Sequence, residues 1–507
     1  MQEKFSRILI GNILKSIRTE QKIPIKKVAQ NMDVSEATIS QFETGKNKPT
    51  NEKITLFTEI CGQTFNFDLD RDLIVSRVYD IYDLYTDLKK EEFNETIQIV
   101  KDTKNIACSY ARFEYYLILY MDAIINQKEV DTALYKGIIE SGKNIFSIRE
   151  LSIYYDIMAL EKMHSNEIKE ALGYLDKALC NNGNYLMINY RYCSIYLDLG
   201  YFNLAQQYIH KSLRMAVQQL SFDRLYYLLL NQGVLYMYTS RYDEANELFL
   251  KLLNESIKRQ NEIMKYCVLS NLVFTSLIQK DIKSGFDYLN RIDEQFTDDL
   301  DLKMYKCLLY YFGHEYTKSK ECIASFLRNV KDSKYHENFI RALKYMMDNK
   351  PMKAIANFET CYQIALKNGQ YDRAIFVLKQ LNELCRDTLV DNLGMVFTAA
   401  GEGWLEARMP IDRRTCRPDG ALHGGANMAL AETVGGALSS MSVPPENRFH
   451  VFGIEVNGNH MKQAQGGYVV AKGTFIHQGK RTHVVQVEIR DEYGTLVTVN
   501  RVTNMIV

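Results

Sequence analysis

Residues 417–436 read RPDGALHGGANMALAETVGG. The glycine pair after His423 opens an apolar run of helical character, so the backbone N–H groups at the helix start lie bare where the helix dipole favours a developing oxyanion. Gly424 is the candidate donor, with His423 just before it. Glu432 follows within MALAETVGG, a stretch otherwise apolar or small, where a carboxylate has little reason to sit unless it reacts. Eight residues of helix separate Gly424 from Glu432, a rise of about 12 Å, too far for both to serve one carbonyl. The spacing therefore predicts that the two meet across a dimer interface.

On either side of this stretch, the pattern alternates. LEARMPI (405–411), GYVVAKGTFIHQ (467–478), THVVQVEIRDE (482–492) and TLVTVNRVTNMIV (495–507) are rich in β-branched residues and bounded by Gly, Asn and Asp, and they predict an antiparallel sheet. One apolar helix, about 424–440, accompanies three or four long strands, which is what a hotdog fold requires.

DNLGMVF (391–397), HGGANMALAETVGG (423–436), NGNH (457–460) and HQGKRT (477–482) resemble acyl-CoA thioesterases of the PaaI-like hotdog family, particularly the branch acting on aromatic or hydroxybenzoyl-type esters. The likeness covers roughly 376–507, and it implies that LKQLNELCRDTLVDNLG (378–394) is the N-terminal helix of such an enzyme. It further implies that Glu432 is the nucleophile or general base, supplied by the partner subunit. Two positions depart from the pattern. Arg417 stands where relatives often have a Gln supporting the reacting carbonyl, and Gly436 where some have a Ser. Arg417 is either a binder of a substrate carboxylate or CoA phosphate, or a loop arginine. Gly479, Lys480 and Arg481 match the family's CoA-contacting turn, although a charged hairpin tip needs no ligand. His460 is either an acyl-group contact or a satisfied core histidine.

Usage changes near residue 386. Residues 1–385 hold 12 glycines, 35 Lys and 15 Arg, against 15 glycines, 3 Lys and 9 Arg in 386–507, which also hold the single tryptophan, Trp404. Two genes of different origin would give such a shift, so a natural or engineered fusion is open from the sequence. Charge balances overall at 62 basic and 62 acidic residues, yet residues 1–53 hold ten basic against six acidic, a local footprint for nucleic acid.

That basic segment predicts four short helices, with Ser35 as an N-cap and Gly45 as a stop. Val34, Ser35, Thr38, Ile39, Ser40, Glu43 and Gly45 reproduce the pattern of the repressor-type helix-turn-helix family, which this segment resembles. The resemblance implies that the second motif helix enters the major groove, with Ser35 at its cap and Glu36, Ala37, Thr38 and Gln41 near base edges. Lys26, Asn47 and Lys48 then contact phosphates.

Between these ends, small residues recur at Ala171, Ala205, Ala245, Gly285, Ser319 and Ala354, in steps of 34, 40, 40, 34 and 35. Steps near 34 are those of tetratricopeptide repeats, whose stacked helix pairs form a concave face suited to an extended peptide. A repressor-type head on such a solenoid resembles the peptide-pheromone receptors of Gram-positive bacteria and their phages, the Rgg-like, PlcR-like and arbitrium-receptor regulators. It implies a dimeric transcription regulator controlled by a short peptide. Asn231 and Asn271, each 14 residues before a small-residue position, and Arg191 in the same column are the candidate peptide contacts, since an Asn can satisfy both an N–H and a C=O.

The expected organisation is multidomain: an all-α helix-turn-helix at 1–66, a TPR-like α-solenoid at 67–380 and an α+β hotdog domain at 381–507. The expected partners are double-stranded DNA, a short signalling peptide, an acyl-CoA substrate and further copies of the chain, as homodimer or homotetramer through the hotdog domain. The ten scattered cysteines form no CxxC pair and no Cys/His cluster at metal-ligand spacing, so they read as reduced core thiols and no metal is expected; no cofactor is expected either. A cytoplasmic protein without a membrane span is expected. The alternative is a chimera whose hotdog domain is a non-catalytic oligomerisation or acyl-CoA-sensing module.

Overall fold

The computed structural model describes residues 2–180, 185–330, 333–368, 370–401, 403–443 and 451–507. Its contacts divide the chain into two compact units, one of residues 1–196 and 203–232, the other of 197–202 and 233–507. No helix among the described residues is long and apolar enough to cross a membrane.

The first unit opens with α1 (Gln2–Glu20), α2 (Ile25–Asn31), α3 (Glu36–Glu43) and α4 (Asn51–Ile60). Ile10, Ile13, Ile17, Val28, Ile39, Ile54 and Phe57 form its sealed core. The first helix is longer than the sequence suggests. The motif residues have structural causes: Ser35 caps α3 by accepting from the Thr38 N–H at 3.1 Å, and Glu43 is buried as the two-armed partner of Arg18 at 2.5 and 2.8 Å. Gly45 adopts φ +67° with its backbone against Ile8, a position where a side chain would collide.

Helix pairs follow. Ile148–His164 packs with Ile168–Cys180, and beyond lie Leu186–Asp198 and Phe202–Gln218. The small residues of the repeat, Ala171 and Ala205 here and Ala245, Gly285, Ser319 and Ala354 in the second unit, are all buried, as close helix approach requires.

The second unit continues the pairs to Tyr371–Leu384 and then turns into a sheet. The strands are β1 (Val396–Gly401), β2 (Trp404–Pro410), β3 (Val451–His460), β4 (Tyr468–Gln478), β5 (Thr482–Asp491) and β6 (Leu496–Ile506), in the antiparallel order β1-β2-β4-β5-β6-β3. The helix Gly424–Met441 lies against it, burying Leu430, Ala431, Val434 and Leu438 beside Val469, Val485, Val487 and Val502. Gly435 lets that helix approach: a methyl group there would lie 2.7 Å from Val502. This is the hotdog arrangement, an all-α body followed by an α+β domain. Six strands form where three or four long ones were expected. The 380/381 boundary falls inside Tyr371–Leu384, and this helix does not run on to Gly394: it ends at Leu384 with Cys385 as its C-cap, and a short helix, Leu389–Asn392, follows after Asp387 at φ +62°. Asn382 on it exchanges two hydrogen bonds with the Phe397 backbone, 3.0 and 3.1 Å, occupying the free edge of β1.

Candidate functional site

The N-terminus of the hotdog helix borders a cavity of about 370 Å³. His423 is the N-cap, its Nδ1 accepting from the Gly425 N–H at 2.8 Å, which fixes the ring and leaves the Gly424 N–H out of that bond. Arg417, Gly424, Asn427 and His460 line the cavity together, with Lys462 and Gln463 from the loop after β3. Gly424 cannot carry a side chain without moving His460, because a methyl group would lie 2.8 Å from His460 Nε2. Arg417 is held by Asp419 through two bonds, 3.2 and 2.7 Å, within a turn closed by Arg417 N–H to Ala421 O at 2.8 Å.

Glu432 does not line this cavity. It is exposed, and its carboxylate lies over Gly453 on β3, 3.3 Å from where a methyl group there would be. The strand β3 is an edge of the sheet and exposes Phe452 and Ile454 by 52% and 56%. Gly479, Lys480 and Arg481 form the β4–β5 turn, closed by Gly479 N–H to Thr482 O at 3.0 Å, and the two basic side chains are exposed and do not line the cavity.

Two contributors were missed in the sequence. Asn427 is buried, its Oδ1 without a hydrogen-bond partner among the described residues, beside the cavity. Thr498, wholly buried on β6, lies 3.0 Å from His460 Nδ1. Apolar flanks gave Asn427 no weight, and the Thr498 contact depends on strand register.

At the other end of the chain, Lys26, Ser35, Glu36, Ala37, Gln41, Asn47 and Lys48 are exposed and Thr38 half-buried. The Asn47 amide donates to Gln41 Oε1 at 2.6 Å, so the loop after α3 is tied to its outer face.

The candidate peptide residues all stand on the first helix of a pair. Asn271 donates to the Cys267 carbonyl of its own helix at 2.8 Å and lines a cavity of about 130 Å³ with Asp301, Tyr335 and Arg373. Although burial pushes the Asp301 carboxyl up, the hydrogen bond from His336 and the charge of Arg373 outweigh it and hold it below the usual carboxylate range. Asn231 donates to Cys193 Sγ at 3.3 Å. Arg191 is buried, its guanidinium bound to both oxygens of Asp156 at 2.7 and 2.9 Å and to the Tyr85 hydroxyl at 3.1 Å. Its evident work is to hold helices together.

Among the described residues no group of His, Cys, Asp and Glu could hold a metal ion. The family model described as Thioesterase superfamily matches residues 419–498, and one described as Helix-turn-helix matches 14–66. A Pasteurella multocida protein named as an esterase is 44% identical over 128 residues, 25% of this chain and 91% of that protein. The 1,4-dihydroxy-2-naphthoyl-CoA hydrolase of Escherichia coli is 39% identical over 129 residues, 25% of this chain and 93% of the enzyme. The crystal structure of a Haemophilus influenzae thioesterase has 39% identity, a TM-score of 0.24, and coverage of 26% of this chain and 90% of that one. Through its C-terminal domain the chain belongs to the thioesterase superfamily, and it opens with a helix-turn-helix DNA-binding domain.

Proposed function

We propose that this chain is a peptide-responsive transcription regulator whose C-terminal domain hydrolyses an aromatic acyl-CoA thioester at a site shared by two copies. The observation that carries the enzymatic part is the separation of Gly424, inside the cavity, from Glu432, exposed beside edge strand β3 on the same helix. A second chain laid along β3 would cover Phe452 and Ile454 and bring its own Glu432 to the first chain's cavity. There the Gly424 N–H takes the carbonyl oxygen as it becomes an oxyanion, and the carboxylate either draws a proton from the water that attacks the carbonyl carbon or attacks that carbon itself; collapse of the oxyanion breaks the C–S bond, the CoA thiolate leaves and takes a proton, and where the carboxylate attacked, water then opens the acyl anhydride to release the acid. Arg417 and the Lys480–Arg481 turn are assigned to acidic groups of the substrate or CoA, and His460 to the acyl group. The aromatic class is taken from the E. coli relative's substrate. Hydrolysis of benzoyl-CoA and hydroxybenzoyl-CoA by the intact chain tests this directly, and no turnover of either would remove the enzymatic part.

The basic head is assigned to DNA, with Lys26, Asn47 and Lys48 on phosphates and Gln41 near a base. Lys48→Ala is expected to weaken binding to specific and random duplexes alike and to reduce the salt slope by about 1, whereas Gln41→Ala relaxes specificity. Fluorescence anisotropy across a salt series reads both. Identical effects of the two changes on specific and random DNA would contradict the docking.

The helical middle, with proposed limits 67–380, is assigned to a short peptide, with Asn231 in the first unit and Asn271 in the second each taken as a candidate contact. Asn271→Ala is expected to cost about 1–3 kcal/mol of peptide affinity by leaving a backbone group unpaired. Calorimetry that finds unchanged binding would take this residue out of the site.

A further inference from the structure

His460 and Thr498 are opposite one another in the β3–β6 ladder. The Thr498 hydroxyl has two neighbours, the Asn459 carbonyl oxygen and His460 Nδ1, each at 3.0 Å. A carbonyl only accepts, so the one hydroxyl proton goes to Asn459, and the hydroxyl oxygen is left to accept from Nδ1–H. In its neutral form His460 then carries its proton on Nδ1. The bare Nε2 lone pair faces Gly424 at the cavity wall and has no hydrogen-bond partner among the described residues.

We infer that Thr498 is a positioning residue that fixes the orientation and tautomer of His460, so that the cavity beside Gly424 presents a hydrogen-bond acceptor and recognises an O–H donor. This rests on the assignment of the cavity to the acyl group. The donor is a hydroxyl on the acyl group or the water that attacks it, and both would bind the same lone pair. Thr498 is suited to this role because it is fully buried, so no water competes for its hydroxyl.

The test uses the full chain with histidine labelled by 15N, at a pH where the imidazole is neutral. The chain has nine histidines, and His460→Ala identifies the signals that matter. The wild type is expected to carry the His460 proton on Nδ1. Thr498→Val is expected to shift it toward Nε2, and Thr498→Ser to restore it. In parallel, Thr498→Val is expected to lower kcat/KM about tenfold, the effect of one lost hydrogen bond, with Thr498→Ser close to wild type. A loss confined to hydroxybenzoyl-CoA identifies the acyl hydroxyl as the donor, and an equal loss on benzoyl-CoA identifies water. A wild-type proton on Nε2, or a tautomer unchanged by Thr498→Val, would overturn the inference. The expected tautomers in a chain that hydrolyses no acyl-CoA would uphold the positioning role and refute the thioesterase assignment instead.

Discussion

Glu432→Ala is expected to lower kcat for an aromatic acyl-CoA by about 10²–10⁴-fold while leaving the chain folded. The range is that of a positioned base or nucleophile removed from a site whose oxyanion donor remains. Folding should be unaffected because Glu432 is exposed on the helix and contributes nothing to the packed face formed by Leu430, Ala431 and Val434. Steady-state hydrolysis with circular dichroism of the same sample checks both halves. Full activity in the variant would leave the hotdog domain without its assigned chemistry.

The largest expected effect on stability is far from that site. Arg191→Ala leaves the Asp156 carboxylate buried with, among the described residues, only the Tyr82 hydroxyl, at 3.1 Å, still bound to it. Removing one member of a buried ion pair costs about 3–5 kcal/mol, because the remaining charge has lost its counter-ion and cannot reach water. Replacing both, as Arg191→Met with Asp156→Leu, is expected to recover most of that loss. Urea denaturation of the three chains gives the comparison. If Arg191→Ala were as stable as wild type, the pair would not be holding these helices.

The repressor-type head was legible because its signals are local: an N-cap, a positive-φ glycine and apolar spacing all lie within twenty residues. The hotdog helix was legible for the same reason, since an apolar run after two glycines declares itself. What escaped depends on contacts distant in sequence. Arg191 shares a repeat column with Asn231 and Asn271, but its partner Asp156 lies 35 residues earlier and no spacing rule connects them. The Thr498–His460 pair exists only once β3 and β6 are in register. The break after Leu384 carries no Gly or Pro, and the left-handed residue within it is Asp387, a type that gives no strong stop signal.

The measurement that bears most directly on the shared site is complementation. Chains with Glu432→Ala keep the cavity but lose the carboxylate, and chains with Gly424→Ala keep the carboxylate but place a methyl group 2.8 Å from His460 Nε2. Each alone is expected to be inactive. Refolded together in equal amounts, half of the dimers are mixed, and each mixed dimer carries one undamaged site of its two. Activity should therefore return to about a quarter of wild type. No recovery, with mixed dimers demonstrated by mass spectrometry of differentially labelled chains, would contradict a site built from two copies.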